Sequence, residues 1–200
     1  MSTATSAGVA PKRKRGHLRV AAILQTGAEV FSEKGYDAAT MSEIATRSGT
    51  ATASLYRFFP SKESLADALL LQYAKHVLGG LAELRGRVAG MSSEEIARAL
   101  IDLRLELQSQ RRFALELADA RGGSHAIREQ FRKAILQAMG DLLRERMPRL
   151  AKARAAVVAA VLLHALKGVA NVEQQKPAAR SAYLDEMQVL VSGYLASAAG

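Results

Sequence analysis

The sequence contains no cysteine and no tryptophan. The missing cysteine excludes disulfide bridges, thiolate metal sites and a cysteine nucleophile together, and it fits a reducing compartment without proving one. Aromatic side chains are scarce as well, at 5% of residues, so composition offers little guide to a ligand pocket. Long apolar runs are lacking. The charge-free stretches of the apolar C-terminal half, Ala155 to Leu166 among them, fall short of the ~20 residues a membrane-spanning helix needs. No apolar run stands ahead of a cleavage site near Met1, so neither a secretory signal nor a membrane partner is expected, and the expected location is cytoplasmic. There is no HExxH, no phosphate-binding glycine loop and no serine in a nucleophile-elbow setting. No catalytic residue, metal or cofactor is therefore assigned, and the chain is not expected to be an enzyme. The remaining enzyme reading, His76 or His164 as an acid-base group, has no supporting pattern around it.

What is present is apolar material in quantity and a surplus of positive charge. At 200 residues and 49% apolar composition, the chain is globular, with enough length for one or two domains and a sizeable core. Its net charge is +9, and the distribution is uneven. From Met1 to Lys62 there are nine Lys or Arg against four Asp or Glu, whereas 19 against 15 are spread over the longer remainder. Four of the early positives form the run Lys12-Arg13-Lys14-Arg15. A solvated tail and an arm attracted to polyanion both fit that run; nucleic acid and an acidic membrane surface are both polyanions of the right kind.

Along the chain, residues 1–10 carry no period and residues 1–16 read as a disordered basic arm. Helical spacing follows. Ile23, Gly27, Val30 and Phe31 mark the inner face of a first helix, which Gly35 stops. Thr40 opens a second helix with Glu43 completing a capping box, and Gly49 ends it. A third carries Leu55 and Phe58-Phe59 and is ended by Pro60. Ser61 caps a long fourth helix striped by Leu65, Leu69, Tyr73, Val77, Leu81 and Leu84, where Gly79-Gly80 marks a candidate kink. Ser92 and Glu95 open the next with a second capping box. Phe113, Leu115 and Leu117 mark a segment that breaks at Gly122-Gly123. Ile127 to Leu143 follows, then an apolar helix from about Leu150 to Val172, and a last one striped by Tyr183, Met187, Leu190 and Tyr194. No strand-like alternation or internal repeat interrupts them. The expected fold is all-α, with a three-helix N-terminal unit over 17–62 and a helical bundle over 63–200.

Two short helices separated by Gly49-Thr50-Ala51 and propped by a first helix form a helix-turn-helix candidate; an ordinary helical hairpin has the same periodicity. The wording is more specific. Ile23-Leu24, Phe31, Lys34-Gly35-Tyr36, Thr40, Ile44-Ala45, Gly49, Leu55-Tyr56, Phe59 and Ser61-Lys62-Glu63-Ser64-Leu65 agree at fixed spacing with one family. The stretch Arg19 to Leu65 resembles the N-terminal domain of the TetR family of transcriptional regulators. The resemblance implies that Thr40 and Lys62 touch DNA phosphates, as do Tyr56 and Ser54. It puts Thr52, Ala53 and Arg57 on the groove face of the recognition helix, with Arg57 the choice for direct readout, since a guanidinium pairs bidentately with guanine. Arg47, on the outer face of the preceding helix, is within reach of backbone phosphate. Three positions depart from the family pattern. Phe58 replaces a hydrogen-bonding side chain, Ala51 replaces a capping Ser or Thr at a cost of about 1 kcal/mol unless Thr50 takes the role, and Gly27 replaces alanine at a similar cost.

By the same resemblance, the last two helices form a homodimer, the operator is palindromic double-stranded DNA, and the middle helices hold a small-molecule effector. The protein is then expected to be a repressor released by that effector. The polar residues near apolar stripes, namely His76, Arg104, Arg112, Glu116 and His164, read as surface or satisfied core groups, and none is assigned to the effector. The alternative is a helical interaction module whose basic arm binds DNA or acidic surfaces without sequence preference.

Overall fold

The computed structural model describes the backbone of residues 12–120 and 125–199, and the side chains of 15–120 and 129–198. Among these residues there are nine α-helices and no strand, as the all-α expectation requires. Of the expected basic arm, residues 1–11 lie outside the described residues. Residues 12–16 are the first residues of helix α1 (Lys12–Ala38).

The N-terminal helices are set by local chemistry. Ile23, Val30 and Phe31 of α1 are buried, and so is Thr26 on the same face. Gly35 interrupts the helix at φ 79°, ψ 164°, a region that residues with a Cβ avoid. Helix α2 (Met41–Arg47) begins where the Thr40 hydroxyl accepts from the Glu43 amide at 3.2 Å. The reciprocal half of the expected capping box is replaced, because the Glu43 carboxylate binds Lys34 Nζ at 2.7 Å. At its other end Gly49, at φ 62°, donates to Thr46 O, and Thr50 N donates to Ala45 O at 2.9 Å. This is a Schellman closure that satisfies two end carbonyls. Helix α3 (Thr52–Phe58) follows, with Phe59 as its C-cap. Helix α4 (Lys62–Arg87) opens on a reciprocal pair, in which Ser64 N donates to Ser61 Oγ and Ser61 N donates to Ser64 Oγ.

Helix α4 runs unbroken through Gly79-Gly80. Gly80 is there for close approach. A Cβ at that position would collide with Leu103 Cδ1 of α5 (Ser93–Glu106). The Ser92–Glu95 box at the start of α5 is formed in both directions. Helix α6 (Gln108–Ala120) buries Ala114, Leu117 and Ala118. Helix α7 (His125–Arg146) packs on α8 (Lys152–Gly168), and α5 packs on α9 (Arg180–Ala199).

The chain divides into two compact units, and the division falls within α4 rather than at residue 62. One unit holds the chain to Leu71 with the end of α6 from Glu116; the other holds Gln72–Leu115 and the chain beyond α6. The core of the second unit is drawn from α4 (Leu81, Leu84), α5 (Ile96, Leu100), α7 (Leu142, Leu143), α8 (Val158, Leu162) and α9 (Val191, Leu195).

The expected helix over 150–172 ends as an α-helix at Gly168 and continues as a 3-10 segment, Val169–Gln174. There Tyr183 Oη donates to Gly168 O at 2.8 Å, supplying a partner to a carbonyl at the helix end. The whole stretch Lys152–Gln174 has the length and composition of a membrane-crossing helix. One of its faces is instead built into the bundle, through Ala155, Val158, Ala159, Leu162 and Leu166. On α9 the inner face is Met187, Val191 and Leu195; Leu190, expected inside, is 56% exposed.

Candidate nucleic-acid interface

The first unit holds α3 by its apolar side and leaves its other side open. Leu55 is fully buried and Phe59 nearly so, which anchors the middle and the C-terminal end of the seven-residue helix. Thr52, Ala53, Tyr56 and Arg57 are all exposed on the opposite side. Four of the residues expected at DNA therefore share one solvent-facing surface. Arg57 has no carboxylate partner among the described residues, and its guanidinium carbon lies 5.7 Å from the Phe58 ring centroid. Phe58 thus supplies a cation–π contact, which narrows the conformations of the arginine beside it. Tyr56 is 46% exposed.

The other four expected contacts are placed differently. Thr40 is exposed, with its hydroxyl already capping α2. Ser54 Oγ is buried without a hydrogen-bond partner, so it does not face the surface that Arg57 occupies. Arg47 is held by carboxylates. Its Nη2 donates to Glu33 Oε1 at 2.8 Å and its Nη1 to Glu33 Oε2, with Glu29 and Glu43 each at 3.9 Å. Those hydrogen bonds hold the Glu33 carboxyl below its ordinary pKa and push that of Arg47 up.

Lys62 is committed within the protein. Its ammonium has three donors, and it donates to Tyr36 O at 2.8 Å, Asp37 O at 3.1 Å and Ala39 O at 3.1 Å. The same nitrogen sits 4.5 Å from the Tyr36 ring centroid. Tyr36 in turn donates from its hydroxyl to Glu63 and packs its ring against Phe31. The turn after Gly35 is thereby pinned to the first turn of α4, and this fixes the entry into α2.

Two of the departures from the family pattern are also explained. Ala51 is the N-cap of α3 and makes no side-chain cap. Thr50 does not take over, since its hydroxyl points back to Ser48 O at 3.5 Å. Gly27 faces Leu65, where an added Cβ would stand 3.1 Å from Leu65 Cδ2, so the missing methyl leaves room for the α4 side chain. Sequence reasoning missed the partners of Lys62 and Arg47. The only local signal was Glu29 and Glu33, four residues apart on α1, an acidic pair on one helix face.

The chain also matches known proteins. Residues 23–69 match the family model for bacterial regulatory proteins of the tetR family, and residues 91–195 match the model for tetracyclin repressor-like C-terminal domains. The chain is similar to the uncharacterized HTH-type transcriptional regulator YvdT of Bacillus subtilis (strain 168), 38% identical over 80 residues, covering 40% of this chain and 39% of the relative. It is also similar to the HTH-type transcriptional repressor KstR2 of Rhodococcus jostii (strain RHA1), 33% identical over 79 residues, covering 40% and 38%. The chain thus spans about two fifths of the length of the curated relatives it matches. The structure of a SmeT–triclosan complex has the same fold, with a TM-score of 0.67 over 90% of this chain and 91% of that one at 18% identity.

Proposed function

Since the chain belongs to the TetR family of bacterial regulatory proteins, we propose that it is a cytoplasmic, homodimeric transcriptional repressor that a small-molecule effector releases from a palindromic operator. Regulators of this family bind DNA operators, dimerise and bind small ligands. The observation that carries the reading here is α3, with Leu55 and Phe59 buried and Thr52, Ala53, Tyr56 and Arg57 exposed together. A short helix locked by its apolar side and open on its polar side suits the major groove.

In this reading Arg57 reads a base, Tyr56 and Thr40 touch phosphate, and Thr52 and Ala53 line the groove. Lys62 acts through the turn it pins, and Arg47 sets the surface of α2 through Glu33. Ser54 makes no contact. The basic run at Lys12–Arg15 adds attraction to the phosphate backbone without reading sequence. The dimer is formed by α8 and α9, whose outer faces carry exposed Val157, Val161, Val189 and Leu190. A two-fold axis there sets the paired α3 helices to half-sites about 34–36 Å apart.

Selection from random duplexes, followed by titration with salt, tests the proposal. A regulator loses affinity steeply as salt rises yet keeps its preference for one palindrome. Loss of all sequence preference at every salt concentration overturns it in favour of a non-specific interaction module. Arg57→Ala is expected to relax preference at one position per half-site, costing about 1–3 kcal/mol there.

A further inference from the structure

In the second unit, Arg104 of α5 has both terminal guanidinium nitrogens, Nη1 and Nη2, shut off from solvent without a hydrogen-bond partner. A guanidinium stays charged inside a protein, and an ionised group removed from water without a counter-charge is costly to hold. The charges around it make matters worse. Arg111, the charged neighbour that acts most strongly on it, is positive, and Arg111 has no carboxylate partner among the described residues. The carboxylate of Glu173 acts on Arg104 less than Arg111 does, and its own contact is with Arg112, at 3.6 Å on the exposed surface. Burial pushes the Arg104 pKa down, followed by repulsion from Arg111. Tyr73 of α4 stands in the same field; burial pushes its hydroxyl pKa up, against the opposing pull of Arg111 and Arg104. Its ring meets Phe131 edge-on, with centroids 5.5 Å apart.

The second unit thus holds an arginine with a buried, unpartnered fork, whose charge Arg111 opposes and on which Tyr73, stacked edge-on with Phe131, also acts. We propose that this is the effector site and that the effector is a small organic anion, whose carboxylate pairs bidentately with Arg104 while its apolar body lies by Tyr73 and Phe131. The fork supplies two parallel donors to a planar two-oxygen acceptor, Arg111 supplies long-range attraction, and the Tyr73 hydroxyl supplies a further donor. The proposal rests on the reading of this unit as the ligand-binding half of a regulator. It assigns the ligand a charge and an anchor.

Thermal unfolding of the full-length protein in benzoate and decanoate, against benzamide and decanol at matched ionic strength, tests it. Wild type is expected to be stabilised by a carboxylate at millimolar concentration and not by its neutral counterpart. Arg104→Met is expected to lose that response and, without ligand, to melt no lower than wild type, because it removes a buried guanidinium whose terminal nitrogens have no hydrogen-bond partner. Arg104→Lys keeps the charge without the fork, and its response is expected to need about tenfold more carboxylate. A ligand-free Arg104→Met that melts well below wild type, or carboxylates that stabilise it as much as wild type, overturns the proposal, as does a wild type indifferent to every carboxylate. Operator selection by the unliganded protein separates this from the regulator reading. An operator-binding protein that ignores carboxylates overturns the anion site alone. A carboxylate response that needs Arg104, in a protein without operator preference, overturns the regulator reading alone.

Discussion

The side chains at the candidate interface fall into those that face outward and those that hold the unit together. Arg57 and Tyr56 were legible in the sequence because the resemblance to the family carries their outward positions onto the third helix, and both are exposed there. Lys62 and Arg47 were not, since their partners lie in a different stretch of chain. Lys62 reaches carbonyls at residues 36, 37 and 39, and Arg47 reaches Glu33 of α1. No local pattern encodes a lysine that replaces the missing partners of a broken helix end. Lys62→Met keeps the stem and removes the three donors, leaving the half-buried carbonyls of Tyr36 and Ala39 without their partner. It is expected to lower the stability of the protein by about 2 kcal/mol in urea unfolding. An unchanged midpoint accompanied by a flattened salt dependence of DNA binding would instead identify Lys62 as a direct phosphate contact.

Among the helices, ends were more legible than continuations, because caps are local. Thr40, Ser61 and Ser92 act where the spacing puts them, and Gly35 and Gly49 take the positive φ that stops a helix. The 3-10 continuation after Gly168 is accompanied by a hydrogen bond from Tyr183, fifteen residues along the chain, and no stripe announces it. The uncapped start of α3 gives an element-level expectation. Ala51→Ser should stabilise the protein by about 1 kcal/mol, since the residue already has the extended ψ of an N-cap; calorimetry measures it. The paired glycines of α4 are expected to respond with opposite signs. Gly79 faces open space, so Gly79→Ala gains about 1 kcal/mol of helix propensity. Gly80→Ala forces its methyl into Leu103 and is expected to lose about 1 kcal/mol net, as overpacking exceeds that gain. Equal stabilisation by both would show that Leu103 moves aside freely.

For the molecule as a whole, the class of fold was legible from periodicity and the N-terminal unit from its wording, whereas the faces of α8 and α9 were not. An all-round apolar helix does not say which side meets its own chain, and the last stripe pointed to Leu190 as inward when Val191 and Leu195 fill that role. The outer face of α8, from Ala156 and Val157 through Ala160 and Val161 to His164, is apolar and uncovered within one protomer. If it is the dimer seam, Val157→Glu with Val161→Glu places carboxylates in it at ~3 kcal/mol or more each. Sedimentation equilibrium should then report a monomer with intact helicity, and operator affinity should fall with it; a double variant that remains dimeric moves the interface elsewhere. A different consequence follows from the way α6 is divided. Its C-terminal residues Leu117 and Ala118 are buried and belong to the N-terminal unit, although the other unit's stretch Gln72–Leu115 comes between. The N-terminal unit is therefore not a cassette. A gene fusion or fragment that stops at Leu71 leaves behind part of the core it was meant to carry, and swapping regulatory halves between such proteins has to carry the end of α6 along with the head.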